Sequence, residues 1–196
     1  LYIGTCSWKY DSWRGIVYSD EPRPNYLSEY ARRYATVEID QWFWSLFAGK
    51  KPVLPDPRTV EEYAAAVGEG FTFSVKVPNS ITLTHFYRKS KTEPLVGNPH
   101  FLSEALFEAF LARLGPLRDH LGPLMFQFEY LNRQKMPSSQ EFRDKFAEFI
   151  DGCPAHYAYA VEMRNPNYLD DAHFEFLNAH HLQHVHVAIG VERIAR

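Results

Sequence analysis

Several ionisable residues interrupt apolar runs that have the length of a β-strand. Glu38 lies between Val37 and Ile39, Lys76 between Val75 and Val77, and Glu162 between Val161 and Met163, with Arg164 directly after. Strand side chains alternate between two faces, so each run divides cleanly. Val37 and Ile39 oppose Glu38 and Asp40, and Phe71, Phe73, Val75 and Val77 oppose Thr72, Ser74 and Lys76. Leu124, Phe126 and Phe128 oppose Met125, Gln127 and Glu129, and Val161 and Met163 oppose Glu162 and Arg164. An unpaired buried charge costs several kcal/mol, so such groups must pair with one another, bind a ligand or hold a metal. Two carboxylates beside a lysine and an arginine suit proton transfer on a small anion. Glu38 and Glu162 are the candidate acid–base pair, and Lys76 and Arg164 the candidate grips for carboxylate or phosphate. Gln127 and Asp40 would add polar contacts. The same Glu38, Lys76, Glu162 and Arg164 could also form an internal salt-bridged plug with no chemistry.

The histidines and tryptophans extend this set. His85 falls in the long stretch 78–99, the one loop large enough to serve as a lid or binding loop, where it could act as a general acid or base. His184 and His186 have H-x-H spacing, which suits two ligands on one metal, although they stand at the start of their strand and the carboxylates toward the ends. Trp8 and Trp13 flank the exit of the first strand-like run, and Trp42 and Trp44 that of the second. Trp8 and Trp44 are candidates for stacking on a sugar or base, against the alternative of core packing beneath the loops. Cys6 has no adjacent histidine to activate it and is set aside as a nucleophile.

Elements that could position these residues follow from periodicity. Strands are predicted over 1–7, 36–40, 71–77, 123–129, 157–163 and 184–189. Between them lie helical stripes: Leu27, Tyr30, Ala31 and Tyr34; Val60, Tyr63, Ala64 and Val67; Leu102, Ala105, Leu106, Ala109 and Phe110; Phe142, Phe146, Phe149 and Ile150. A weaker helix surrounds Phe174 and Leu177, and Asn25, Ser138 and Asp170 are predicted N-caps. Strand–helix alternation predicts a parallel sheet, because each parallel connection needs a crossover. The expected fold class is α/β, a TIM-type (β/α) barrel incomplete at its C-terminal end, since six units fall short of an eightfold barrel of about 250 residues. Residues 1–196 are then a single barrel domain without its last strand–helix units, part of a longer gene product. An open doubly wound sheet would place a glycine-rich turn after the first strand, where this chain has Cys6-Ser7-Trp8-Lys9. On this reading the ionisable set faces the barrel axis near the C-terminal strand ends, where barrel enzymes keep their active sites.

Composition narrows the classes. With 45% hydrophobic and 23% charged residues among 196, the chain has the profile of one globular domain with a sizeable core. A net charge of -3 provides no general attraction to polyanions, so nucleic-acid binding needs a local basic stripe. Cys6 and Cys153 form neither a disulfide framework nor a cysteine zinc site. No apolar run approaches the roughly 20 residues that span a bilayer, and a cytoplasmic protein with no membrane partner is the expectation.

The motifs also resemble a known family. Gly4-Thr5-Cys6-Ser7-Trp8, Trp13-Arg14-Gly15, Val37-Glu38-Ile39-Asp40, Phe43-Trp44 and Phe73 to Lys76 match, in order, the domain-of-unknown-function family 72, the YecE-like proteins. Ile81-Thr82 with His85, Gly122-Pro123 through Gln127, and Val161-Glu162-Met163-Arg164 continue the resemblance. It implies an eightfold β/α barrel with a pocket formed by these residues, and it implies no established activity. The chain departs from the family pattern at Cys6 and Ser7, Asp40, Phe43-Trp44 and Phe128-Glu129-Tyr130; the extra acids Asp40 and Glu129 make the pocket more anionic.

Three functions compete. The first is a metal-independent enzyme acting on a small polar, phosphorylated or sugar-like molecule, with Lys76 and Arg164 on the anion, Glu38 and Glu162 as acid and base, and His85 assisting. The second is a metal-dependent phosphodiesterase or nuclease-like DNA-binding barrel, with Glu38, Asp40, Glu162 and a histidine as ligands. The third is a non-catalytic ligand-binding domain using the same pocket. The sequence leaves cofactors unknown.

Overall fold

β-Branched and aromatic residues alternating with polar ones build the frame: β1 Thr36–Ile39, β2 Thr72–Lys76, β3 Leu121–Phe128, β4 Tyr159–Met163 and the short β5 Gln183–His184. The computed structural model describes residues 2–46, 49–88, 90 and 92–186. Its strands form one five-stranded sheet in the order β1-β2-β3-β4-β5. Each pairs in parallel with the next, Glu38 opposite Ser74, Lys76 opposite Met125 and Gln127 opposite Glu162. A doubly wound sheet reverses its strand order partway across, and the described strands show no reversal.

α1 Tyr26–Ala31 precedes β1, and α2 Pro57–Ala65, α3 Asn79–Thr82, α4 Glu104–Arg113, α5 Ser139–Asp151 and α6 Asp171–Ala179 supply the crossovers. Their starts are chemically fixed. Asn25, Ser138 and Asp170 accept the backbone N–H groups of Ser28, Glu141 and His173, as their positions predict, and Asp56 and Ser103 cap α2 and α4 in the same way. One stripe is shifted from its expected position. In α4 the buried face is Phe107, Phe110 and Leu111, while Ala105 and Ala109 are exposed. Burying aromatic rings outweighs burying alanine methyls, so Phe107 sets the face.

The helix layer packs on one face of the sheet. Val37, Ile39, Phe73, Val75, Leu124, Phe126, Phe128 and Val161 are at most 1% exposed. Phe126 meets Phe107, Phe146, Phe149 and Tyr159, and Phe128 meets Phe142 and Phe146, so α4 and α5 clasp β3 through rings. That leaves Glu38, Lys76, Gln127 and Glu162 on the opposite face, as alternation requires.

Two loop regions differ from expectation. The run 1–7 is not a strand among the described residues, although Glu38 N–H donates to Thr5 O at 2.9 Å as a parallel partner would. The next rung is occupied by a side chain. Thr5 N–H donates to the Tyr30 hydroxyl at 2.9 Å, and that hydroxyl donates to Thr36 O at 3.0 Å. Gly4 fits because a Cβ there would lie 2.1 Å from Thr36 O. The stretch 78–99, expected as one open loop, begins with α3 and is braced at its base by antiparallel contacts. His85 pairs with Gly97, Phe86 N–H donates to Val96 O, and Asn98 N–H donates to Thr84 O. The Asn98 amide also donates to the carbonyls of Ser80 and Leu83.

Tyr30→Phe should therefore lower stability by about 1–3 kcal/mol, because the Thr5 amide and Thr36 carbonyl lose the group between them. Tyr34→Phe, in the ring stacked 4.7 Å from Tyr30, should change it little. Equilibrium urea unfolding compares the two; equal effects would contradict the hydroxyl's place in the ladder.

Candidate functional site

Alternation delivers Glu38, Lys76, Gln127 and Glu162 to one face, and the strand ends set how they meet. Lys76 Nζ lies 3.1 Å from Glu38 Oε1, bridging β1 and β2, with both side chains less than one-fifth exposed. On β4, Arg164 Nε donates to Glu162 Oε1 at 2.9 Å. The Glu162 side chain is 6% exposed and that of Arg164 45% exposed. This pair uses only Nε of the guanidinium, and the terminal nitrogens have no hydrogen-bond partner among the described residues. A third pair was not foreseen: Glu129, just after β3, receives Lys135 Nζ at 2.7 Å. Six positions along an irregular loop carry no periodic signal, so the sequence gives no sign of Lys135 as a partner.

The electrostatics separate these groups. Burial pushes the Glu38 carboxyl above the ordinary glutamate range; Lys76 pulls it down, while Asp40 and Glu162 push it further up. His85 is held below the usual imidazole value by burial and by the Lys135 charge, with Glu129 opposing, and its Nδ1 lies 3.0 Å from Thr84 Oγ1. Gln127 is 7% exposed, and its Oε1 is buried without a hydrogen-bond partner among the described residues. A buried acceptor of this kind costs about 1–3 kcal/mol unless a donor reaches it.

Two asparagines hold the rim, and neither was anticipated. Asn165 Oδ1 accepts Leu131 N–H at 2.7 Å while its Nδ2 donates to Leu131 O at 2.8 Å, tying the loop after β3 to the end of β4. Asn79, at the start of α3, accepts the Ser45 hydroxyl and the Leu46 amide, fixing the loop after β1. Both are 1% exposed.

The aromatic candidates divide. Trp44 is 55% exposed beside the rim and lines a cleft of about 460 Å³ with Leu46, Lys50, Asn79, Phe86 and Tyr87. Trp8 is 3% exposed, its ring edge-on to Tyr63 at 4.9 Å, which makes it a core residue with no face for a ligand. The histidines of β5 also fall elsewhere. His184 is in register with Val161, so it faces the helix layer, where its ring meets His173 and Phe174 of α6. His186 lies beside it, 6.3 Å between centroids. Neither joins the carboxylates of the polar face, and among the described residues no three of His, Cys, Asp and Glu are grouped to hold a metal. Part of the predicted last strand, 187–189, lies outside the described residues.

A parallel α/β sheet with ion-paired side chains across its polar face is the class of protein these features define. The chain belongs to the family described as protein of unknown function DUF72, whose model matches residues 2–191. It is similar to the UPF0759 protein YecE of Escherichia coli K12 and of Escherichia coli O157:H7, 25% identical to each over 170 residues. That match covers 86% of this chain and 50% of each relative, so the chain spans about half the length of the curated relatives it matches. Two crystal structures of a DUF72 family protein from Enterococcus faecalis V583 share the fold. One has a TM-score of 0.58 at 21% identity and the other 0.55 at 20%. Each match covers 93% of this chain, with 59% and 61% of theirs. None of the described helices is long and apolar enough to cross a membrane.

His173 and His184 are both held below the ordinary imidazole value, chiefly by burial and then by a histidine neighbour, and each has a buried ring nitrogen without a partner among the described residues. A depressed pKa means that the folded state resists a proton the unfolded chain accepts. The contribution to stability is complete above the unfolded value of about 6.5 and is lost as pH falls from there through the lower folded value. Thermal melts should show this decline between neutral and mildly acid pH, with a shallower slope in His184→Leu. An unchanged slope would place the acid sensitivity elsewhere.

Proposed function

We propose that this chain supplies the first strands of a (β/α) barrel whose mouth, at the C-terminal ends of β1 to β4, binds a small polar anion of the phosphorylated or sugar-like kind and acts on it without a metal. The sequential, unreversed strand order supports the barrel, since a sheet wound in one direction with helices on one face curls toward closure. The match covers half the length of the curated relatives, which leaves room in a protein of their size for the further strands that closure needs.

The observation that carries the ligand class is the state of Arg164. Glu162 fixes the guanidinium through Nε, and the terminal nitrogens remain available in the fork geometry that grips carboxylate or phosphate in two places. Glu162 is thereby a positioning residue in this reading, in place of the proton-transfer role its sequence position suggested. Glu38 is the proton carrier: burial raises its pKa above the ordinary glutamate range, which favours the protonated form, and Lys76 opposes that shift. The unpartnered Gln127 Oε1 offers an acceptor for a ligand hydroxyl. His85, favoured neutral, is the accompanying base from the loop.

Calorimetric titration of the full-length protein with ribose 5-phosphate tests this. Arg164→Gln should weaken binding by about tenfold or more, the value of a charge-assisted hydrogen bond, with Arg164→Lys in between. Glu38→Gln should keep binding but lower turnover of any sugar phosphate found to react by at least about 100-fold. Binding indifferent to Arg164 would remove the anion clamp, and full activity in Glu38→Gln would remove the acid.

A further inference from the structure

The cleft beside the mouth differs chemically from the mouth itself. Its walls are Trp44 and Tyr87, 55% and 58% exposed, with Phe86 and Leu46; its polar contributions are Asn79 and Lys50. Indole and phenol rings are large apolar bodies, and leaving two of them half in water at adjacent positions forgoes burial that a ligand could recover. The walls are also braced from behind. Asn79 is tied to Ser45 and Leu46, and Trp44 stands edge-on against the buried Phe43 at 5.2 Å. Lys50 Nζ sits 5.3 Å from the centre of the Phe86 ring, so a positive charge is held at the aromatic wall. The cleft adjoins the polar face through Asn79, which lines it and closely follows Lys76 at the end of β2.

We infer that this cleft is a stacking subsite for a planar ring, so that the ligand is a ring-bearing anion of the nucleoside-monophosphate kind, its ring against Trp44 and Tyr87 and its acid group at Arg164. The inference rests on the anion-binding reading of Arg164 and adds the substrate class. Aromatic walls accept any flat π-face, whereas the cations at Lys50 and Arg164 select for a negative group on the same ligand. A sugar phosphate, with no planar π-face, satisfies only the second requirement, and a neutral nucleoside only the first.

Titration with adenosine 5′-monophosphate, ribose 5-phosphate and adenosine, using the full-length protein, separates the two contributions. Adenosine 5′-monophosphate should bind at least about fivefold more tightly than ribose 5-phosphate, the value of one base stacked on an aromatic ring. Trp44→Ala and Tyr87→Ala, both at exposed positions, should each remove most of that advantage and leave ribose 5-phosphate binding unchanged. Arg164→Gln should weaken both phosphates and spare adenosine. Equal binding of the two phosphates, or an advantage that survives both aromatic substitutions, would overturn the stacking subsite while leaving the anion site standing. Phosphate binding insensitive to Arg164→Gln would overturn the anion site instead. No binding of adenosine 5′-monophosphate at millimolar concentration would overturn the inference outright.

Discussion

The ion pair between Glu38 and Lys76, 3.1 Å across adjacent parallel strands, answers the constraint that governs this sheet. One face is taken up by the helix layer, so every second strand residue turns toward the other face, and four of those are Glu38, Lys76, Gln127 and Glu162. Charges partly withdrawn from water need partners close by. Glu38 finds Lys76, Glu162 finds Arg164, and Glu129 finds Lys135. Which polar atoms remain available to a ligand follows from those matches.

The three pairs are not equivalent. Glu38 sits among further negative charges, and burial outweighs the help it receives from Lys76, so its carboxyl is held above the ordinary glutamate range. Glu162 is enclosed, while its partner reaches the surface with spare donors. Glu129 and Lys135 lie in the loop side of the mouth and set the charge felt by His85. A carboxyl of raised pKa beside a lysine, an outward-facing guanidinium and a buried amide oxygen unpaired among the described residues are the features on which the proposed anion site rests. The carboxylates here already have cations beside them, which sets them apart from a carboxylate cluster left open to a metal.

Much of this was legible in the sequence because strand alternation is a strict geometric rule. Val37 and Ile39 against Glu38, or Val161 and Met163 against Glu162, leave little choice of face, and the helix caps at Asn25, Ser138 and Asp170 have a direct hydrogen-bonding cause. What could not be read depended on contacts between distant segments. The Tyr30 hydroxyl enters the rung between Thr5 and Thr36, 25 residues from Thr5, and no local pattern announces it. His184 and His186 have the spacing of metal ligands, but the register of His184 with Val161 turns it toward α6 and away from the carboxylates. Trp8 near a strand exit could have been a stacking platform; Tyr63 from α2 encloses it. In α4 the alanines suggested a stripe that the phenylalanines override.

The most direct test of the account is the titration of Glu38, followed through the carboxyl carbon signals of ¹³C-labelled glutamate with Glu38→Gln used for assignment. The account predicts that this signal titrates above the ordinary glutamate value of about 4.3 and moves higher still in Lys76→Met, because the compensating charge is gone. A Glu38 that titrates at the ordinary value, unmoved by loss of Lys76, would contradict the raised, lysine-coupled carboxyl on which the functional reading stands.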